Sequence, residues 1–314
     1  MKFHKKTLAI ACFAACTTGS AMAEDTFKNI ETSVQYSYGF NDKQDKNLGY
    51  GSDGNNIQTV RLQHENDWKY GSSMILLDNL WSDKPLGGGT ANPAANWNYG
   101  DGYGLHKHEY FGVAGVEVLS SKVFGSEAGT GFIKDYGLSG RYENGSYYNF
   151  RAYEIGPQIH LNVPGFDRFK ITWWQRWKSD DSGKCLTATC QYENGHGKDL
   201  TAKGVDYARH SLIGVDWRTS WNMWGKKWTS QAFIRYQVGQ NGGKPEGVGD
   251  NVSGVGNRLW VEPDVFVYLT DHVALGLRAY YQYDQNSVKV SNDGYYTKQD
   301  KSYFTPNIVL KYDF

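Results

Sequence analysis

The chain has 314 residues, 33 basic against 33 acidic side chains, and a mean hydropathy of −0.62. That balance lacks the basic excess of a nucleic-acid binder, and no apolar run beyond the leader reaches the roughly 18 residues that a spanning helix needs. Aromatic residues are abundant (23 Tyr, 14 Phe, 11 Trp), with 37 Gly and only 7 Pro, a composition that suits a β-barrel with aromatic girdles.

In chain order, Lys2, Lys5 and Lys6 precede an apolar run from Leu8 to Cys16 and then Ala21-Met22-Ala23. Cationic start, short apolar core and A-x-A site predict a secretory signal peptide over 1–23, cleaved to leave one domain, 24–314. A lipoprotein-type site at Cys16 is the weaker rival. Loss of three lysines and no acid leaves 30 basic against 33 acidic residues, a net of −3.

Alternation of apolar and polar residues then predicts twelve strands. They cover 30–40, 57–65, 70–81, 107–119, 132–142, 147–163, 169–178, 207–218, 228–238, 257–269, 272–283 and 303–314. Glu143-Asn144-Gly145-Ser146 reads as a hairpin turn because Asn-Gly favours one. Strand six is expected to bend at Gly156-Pro157, and a Trp-rich turn is expected over 219–227. Most predicted strands run roughly 9–13 residues, the length a tilted membrane strand needs. Links after even strands are mostly short and those after odd strands mostly long. Transmembrane barrels show this asymmetry between periplasmic turns and outer loops. The fold class predicted is all-β, a transmembrane antiparallel up-and-down barrel of about twelve strands in the outer membrane of a Gram-negative bacterium.

The last strand ends Lys311-Tyr312-Asp313-Phe314. Tyr312 and Phe314 resemble the assembly signal read by the barrel assembly machinery, and their oily face is expected to meet outer-membrane lipid. In the loop 179–206, Cys185 and Cys190 read as a disulfide in an exported chain. A metal site there, with His196 and His210, lacks a second closely spaced ligand pair.

No G-x-S-x-G, H-E-x-x-H or phosphate loop is present, so neither enzyme activity nor a cofactor is expected. The polar strand faces instead predict a lumen. Its candidate solute contacts are Arg61, Glu65, Trp174, Arg176, Phe233, Arg235, Trp260, Glu262, Arg278 and Tyr280. Aromatic walls stack flat solutes, and charged groups hydrogen-bond their edges. For each charged residue the competing reading is an ion-pair lattice that fills the barrel, since buried charges must be paired. Trp173, Trp177, Trp217 and Trp228 fall on outward faces and read as girdle residues.

Four segments carry a resemblance. They are Leu62-Gln63-His64-Glu65-Asn66-Asp67-Trp68-Lys69-Tyr70-Gly71; Tyr153-Glu154-Ile155-Gly156-Pro157 with Asn162-Val163-Pro164-Gly165-Phe166-Asp167; Tyr281-Gln282-Tyr283; and the closing Lys311 to Phe314. Together they resemble the nucleoside-specific channel-forming (Tsx-like) outer-membrane family. The loops and the cysteine pair do not match it. The resemblance implies a monomeric twelve-stranded barrel that admits nucleosides by diffusion. A carbohydrate porin and a non-conducting structural or receptor barrel, docking phage or colicin through its outer loops, remain the alternatives.

Overall fold

The computed structural model describes residues 27–42, 55–82, 108–125, 129, 131–146, 150–180, 205–206, 209–238, 257–290 and 296–314. The expected signal peptide and Cys185 with Cys190 lie outside these residues. Twelve main strands follow in order: β1 Phe27–Asp42, β2 Asn55–Trp68, β3 Gly71–Ser82, β4 His108–Leu119, β5 Ile133–Gly145, β6 Arg151–Leu161, β7 Arg168–Asp180, β8 His210–Met223, β9 Lys226–Val238, β10 Arg258–Tyr268, β11 Val273–Val290 and β12 Tyr296–Asp313. A two-residue strand, Val205–Asp206, adds to the far end of β7.

Each strand pairs antiparallel with its chain neighbours, and β1 pairs with β12, from Ser33 opposite Asp313 to Gly39 opposite Asn307. The β6–β7 pairing completes the ring. The sheet is therefore a closed twelve-stranded antiparallel barrel without a free edge, the only way for strands to satisfy every backbone group in hydrocarbon.

The barrel is inside-out. Its outward set includes Leu277 at 67% and Phe304 at 59% exposure, with Tyr153, Ile155, Trp173, Ile308 and Leu310 also exposed. Its buried set includes Gln35, Gln63, Asp78, Glu143, Glu154, Asp216 and Asp264. A water-soluble protein distributes these residue types the other way round. A lipid-facing barrel requires this distribution, because its polar groups can be hydrated or paired only inside. Trp173 and Trp177 are exposed on the outer face, and Trp217, Trp221 and Trp228 share it at the short-turn end. Tyr312 and Phe314 lie on the outer face too, ring to ring at 5.2 Å beside the closing seam.

All turns after even strands lie at one end. Between β4 and β5 stands α1, Ser120–Phe124, where the sequence predicts only a turn. Asp135 holds it by accepting from Ser121 N, at 3.2 Å, and from the hydroxyls of Ser120 and Ser121. Gly125, at φ 70°, ends it.

Three expectations are corrected. Glu143 and Asn144 are not a turn: they pair with Ala152 and Arg151, so β5 runs on to Gly145 and β6 starts only at Arg151. Packing across the sheet outweighs the local Asn-Gly preference. The nine-residue turn over 219–227 contracts to Trp224-Gly225, with φ of 54° and 69°. Positive φ at both central residues matches the right-handed twist of a two-residue hairpin. For Trp224 this costs about 1–2 kcal/mol, offset in part by an edge-on contact with Trp228 at 5.9 Å. β11 and β12 also run further than expected, with Val290 opposite Tyr296 beyond a register shift at Asp284/Ser287. That extension carries Lys298, Gln299, Asp300 and Lys301 and shows no apolar alternation, so it reads as loop. The bend expected at Gly156-Pro157 falls where the β6–β7 ladder skips both residues and keeps its register on either side.

At Gly156 the strands approach so closely that a Cβ would sit 1.8 Å from the Trp173 carbonyl oxygen. Gly156→Ala must push β7 away from β6. Overpacking of this kind costs about 1–3 kcal/mol, and the expected outcome is a lower unfolding midpoint. Unchanged heat-modifiable migration on a gel and an unchanged denaturant midpoint would disprove the close approach.

Candidate functional site

All ten residues named as lumen candidates belong to inward-facing strand positions, and most are locked in ion pairs. The reason is elementary. Inward positions contain more charge than the interior can hydrate, and each charge left unpaired there would be costly.

One lattice occupies the β1–β3 and β10–β11 side. Arg61 grips Asp78 with two hydrogen bonds, at 2.8 and 2.9 Å, and reaches Glu262 across the lumen at 2.7 Å. Arg278 grips Asp264 the same way, at 2.7 and 2.8 Å, and donates to Gln35 at 2.6 Å. A planar guanidinium facing a carboxylate in two parallel bonds is the strongest form of this contact. Glu262 lies 3.4 Å from Arg278 and so joins the two pairs.

A second lattice covers β5 to β9. Arg141 and Arg176 share Glu143, at 2.5 and 2.6 Å. Both also lie at ion-pair distance from Glu154, 2.8 and 3.3 Å, without hydrogen-bond alignment. Arg235 pairs with Asp216 at 2.9 Å. Between these groups lies Trp174, only 2% exposed. Its indole nitrogen donates to Ser139 at 3.2 Å, and the guanidinium carbons of Arg141 and Arg235 both lie 4.9 Å from its ring. Trp174 is thus packed as a support for two cations, with little of its surface left open to the lumen.

Three candidate aromatics are more open. Phe233 is half-buried, with Arg235 at 5.5 Å from its ring. Trp260 and Tyr280, on neighbouring strands, both donate to Gln282, at 3.0 and 3.1 Å. Arg258 and Arg176 lie 5.2 and 6.0 Å from the Trp260 ring.

The remaining candidate, Glu65, is in a different place. It lies near the short-turn end, bonded to Arg168 at 2.8 Å and Gln63 at 2.7 Å, with Arg218 at 3.6 Å. Arg218 also pairs with Glu31. Beside this group Glu117 takes Lys170, and Ser72 donates to it at 3.2 Å.

A cavity of about 800 Å³ begins among the turn residues Pro164 to Asp167 and runs inward to Trp174, Phe233 and Arg235. It is off-centre. On the opposite wall Phe266, Tyr268, Ala274 and Val309 pack inside the barrel, with Lys311 above both rings. The Tyr268 hydroxyl donates to Asp313 at 2.5 Å. This cluster fills the β10–β12 side, and the open volume is left against β1 to β9.

Partners outside the sequence-based candidates are as important as the candidates. Asp78, Glu143, Glu154, Asp216, Arg168 and Arg218 complete the lattices. Period-two alternation would have marked Asp78, Glu154 and Asp216 as inward. Glu143 was hidden by its resemblance to a turn, and Arg168 and Arg218 by their position near strand ends.

No family model matches the chain, and no curated protein does. Among solved structures it is similar to the β domain of the Bordetella autotransporter BrkA, with 11% identity, a TM-score of 0.39, and coverage of 91% of this chain and 100% of that one. The translocator domain of autotransporter NalP from Neisseria meningitidis gives 10%, 0.34, and 98% and 96%. Outer membrane protein Omp33 of Acinetobacter baumannii gives 10%, 0.31, and 90% and 98%. These are likenesses of architecture, and the functional argument rests on the chain's own residues.

The depth of each pair predicts its energetic weight. Asp264→Ala strands the buried Arg278 guanidinium and is expected to cost about 3–5 kcal/mol. Glu31→Gln, at the solvated end, is expected to cost at most about 1 kcal/mol. Urea unfolding midpoints of the two variants in detergent or lipid check this order, and equal losses would contradict it.

Proposed function

We propose that this protein is an outer-membrane channel for passive passage of small, uncharged polar solutes, with nucleosides as the favoured class. The observation that carries the reading is the near-neutral lumen beside an open cavity. Five guanidiniums, of Arg61, Arg141, Arg176, Arg235 and Arg278, face six carboxylates, of Asp78, Glu143, Glu154, Asp216, Glu262 and Asp264. Such a lining offers many hydrogen-bond donors and acceptors without a strong field of either sign. It suits a neutral solute that must be held enough to be selected and loosely enough to leave.

A nucleoside adds a flat base to its ribose hydroxyls. Phe233 lines the inner end of the cavity, and Trp260 with Tyr280 forms a second aromatic pair among the Arg258 and Arg176 cations. The resemblance of four segments to the nucleoside-channel family favours the same solute class. In this reading the short-turn end faces the periplasm, and Trp68, Tyr70, Trp221, Trp224 and Trp228 anchor that rim at the lipid boundary.

The cross-lumen bond from Arg61 to Glu262 favours a second reading, a barrel filled by its own side chains that serves as a structural or receptor element. Conductance separates the two. Purified barrel in planar bilayers is expected to conduct, and nucleosides are expected to block at lower concentration than hexoses or maltose. Phe233→Ala is expected to weaken that block roughly tenfold, in the range that loss of one base–aromatic stack gives. Equal block by sugars would turn the reading to a carbohydrate channel, and a barrel that neither conducts nor admits solute would refute passage altogether.

A further inference from the structure

The ion pairs at the short-turn end differ from those in the middle of the lumen in reach and in solvation. Glu31 on β1 and Glu65 on β2 meet Arg168 on β7 and Arg218 on β8. Around the ring, four strands separate β2 from β7 on one side and six on the other, and the same holds for β1 and β8. The contacts therefore cross close to the full width of the barrel. All four residues line the cavity.

Their side chains are partly solvated at the mouth, at 58% exposure for Glu31, 29% for Arg168 and 23% for Arg218, while Glu65 at 15% is more enclosed. Arg278 and Asp264, by contrast, are 5% and 2% exposed. Breaking the deep pairs strands a buried charge, so they form fixed wall. The more accessible mouth pairs exchange partners with water at lower cost than the deep ones, so they are the cross-lumen contacts a passing molecule displaces first.

Resting on the channel reading above, we propose that Glu31, Glu65, Arg168 and Arg218 form a specificity-determining constriction at this mouth. Two carboxylates and two guanidiniums leave it without net charge. A hydroxyl-rich neutral solute can replace either partner, donating to a glutamate or accepting from an arginine. An ion of either sign is attracted by one pair of groups and repelled by the other, and gains no advantage. The constriction thus sets a weak charge preference and favours polyhydroxylated neutral molecules.

The test is the sign of ion selectivity. Wild-type barrel, Glu65→Gln and the double variant Arg168→Gln/Arg218→Gln are compared in planar bilayers under a potassium chloride gradient. The wild type is expected to reverse near zero potential. Glu65→Gln is expected to shift toward anions and the double variant toward cations. The permeability ratio should change by up to about fivefold in Glu65→Gln, the factor one unit charge at about 4 Å supplies in water, and by more in the double variant, which loses two charges. Both variants should conduct more than the wild type.

Identical reversal potentials and conductances in three folded proteins, with folding checked by heat-modifiable migration, would overturn the constriction while leaving the channel intact. If either variant fails to fold, Glu31→Gln replaces it, with an anion shift expected and its absence counting against the proposal. A silent wild type beside a conducting Glu65→Gln would support the constriction and refute the open channel. Silence in every protein would refute both.

Discussion

Hydrocarbon gives a backbone amide no partner, and this constraint organises the whole molecule. An open sheet would leave the outer edges of β1 and β12 unpaired in lipid. Pairing from Ser33 opposite Asp313 to Gly39 opposite Asn307 removes both edges. Once the ring closes, strand alternation has only one use: apolar residues face lipid and polar residues face the interior. The exposed Leu277 and Phe304 and the buried Gln35 and Asp264 are consequences of closure, not separate features.

Closure also creates the electrostatic problem that the lumen solves. Arginines and carboxylates gathered inside a narrow barrel cannot all be hydrated. The deep ones therefore pair in fixed geometry, as Arg61 does with Asp78 and Arg278 with Asp264. Such lattices hold opposite walls at set distances and leave little net field. They also leave little of some candidate side chains open to the lumen. Trp174 is the clearest case, since its ring is enclosed between Arg141 and Arg235 and its nitrogen is bound to Ser139. In the channel proposed above, solute contact is left to the residues that the lattice does not enclose, Phe233 among them, and to the more accessible pairs around Glu65.

The interior is also uneven across its width. Phe266, Tyr268 and Val309 pack one side into a small core, where Gly276 lets the Phe266 ring lie against the wall. A Cβ there would come within 2.4 Å of that ring. The cavity consequently follows the opposite wall, past Lys170, Asp216 and Arg218 to Phe233. In the channel proposed above, a path along one wall brings every passing molecule against the same few side chains, and that gives selectivity a physical basis.

The number of main strands, their approximate places and the faces of their residues were legible in the sequence by itself. Alternation is a local property, and lipid on one side with polar interior on the other writes it plainly into each segment. Arg61, Glu262 and Arg278 were recognisable as inward for that reason. Which groups they pair with was not legible, because the Arg61–Glu262 bond joins residues 201 positions apart and is created only when the ring closes. Tertiary structure alone decided that Glu143 belongs to a ladder and not a turn, that Trp174 is enclosed, and that Glu65 faces Arg168 across the barrel. Periodicity says which way a side chain points. Register and closure say what it meets there, and those depend on strands far apart in the chain.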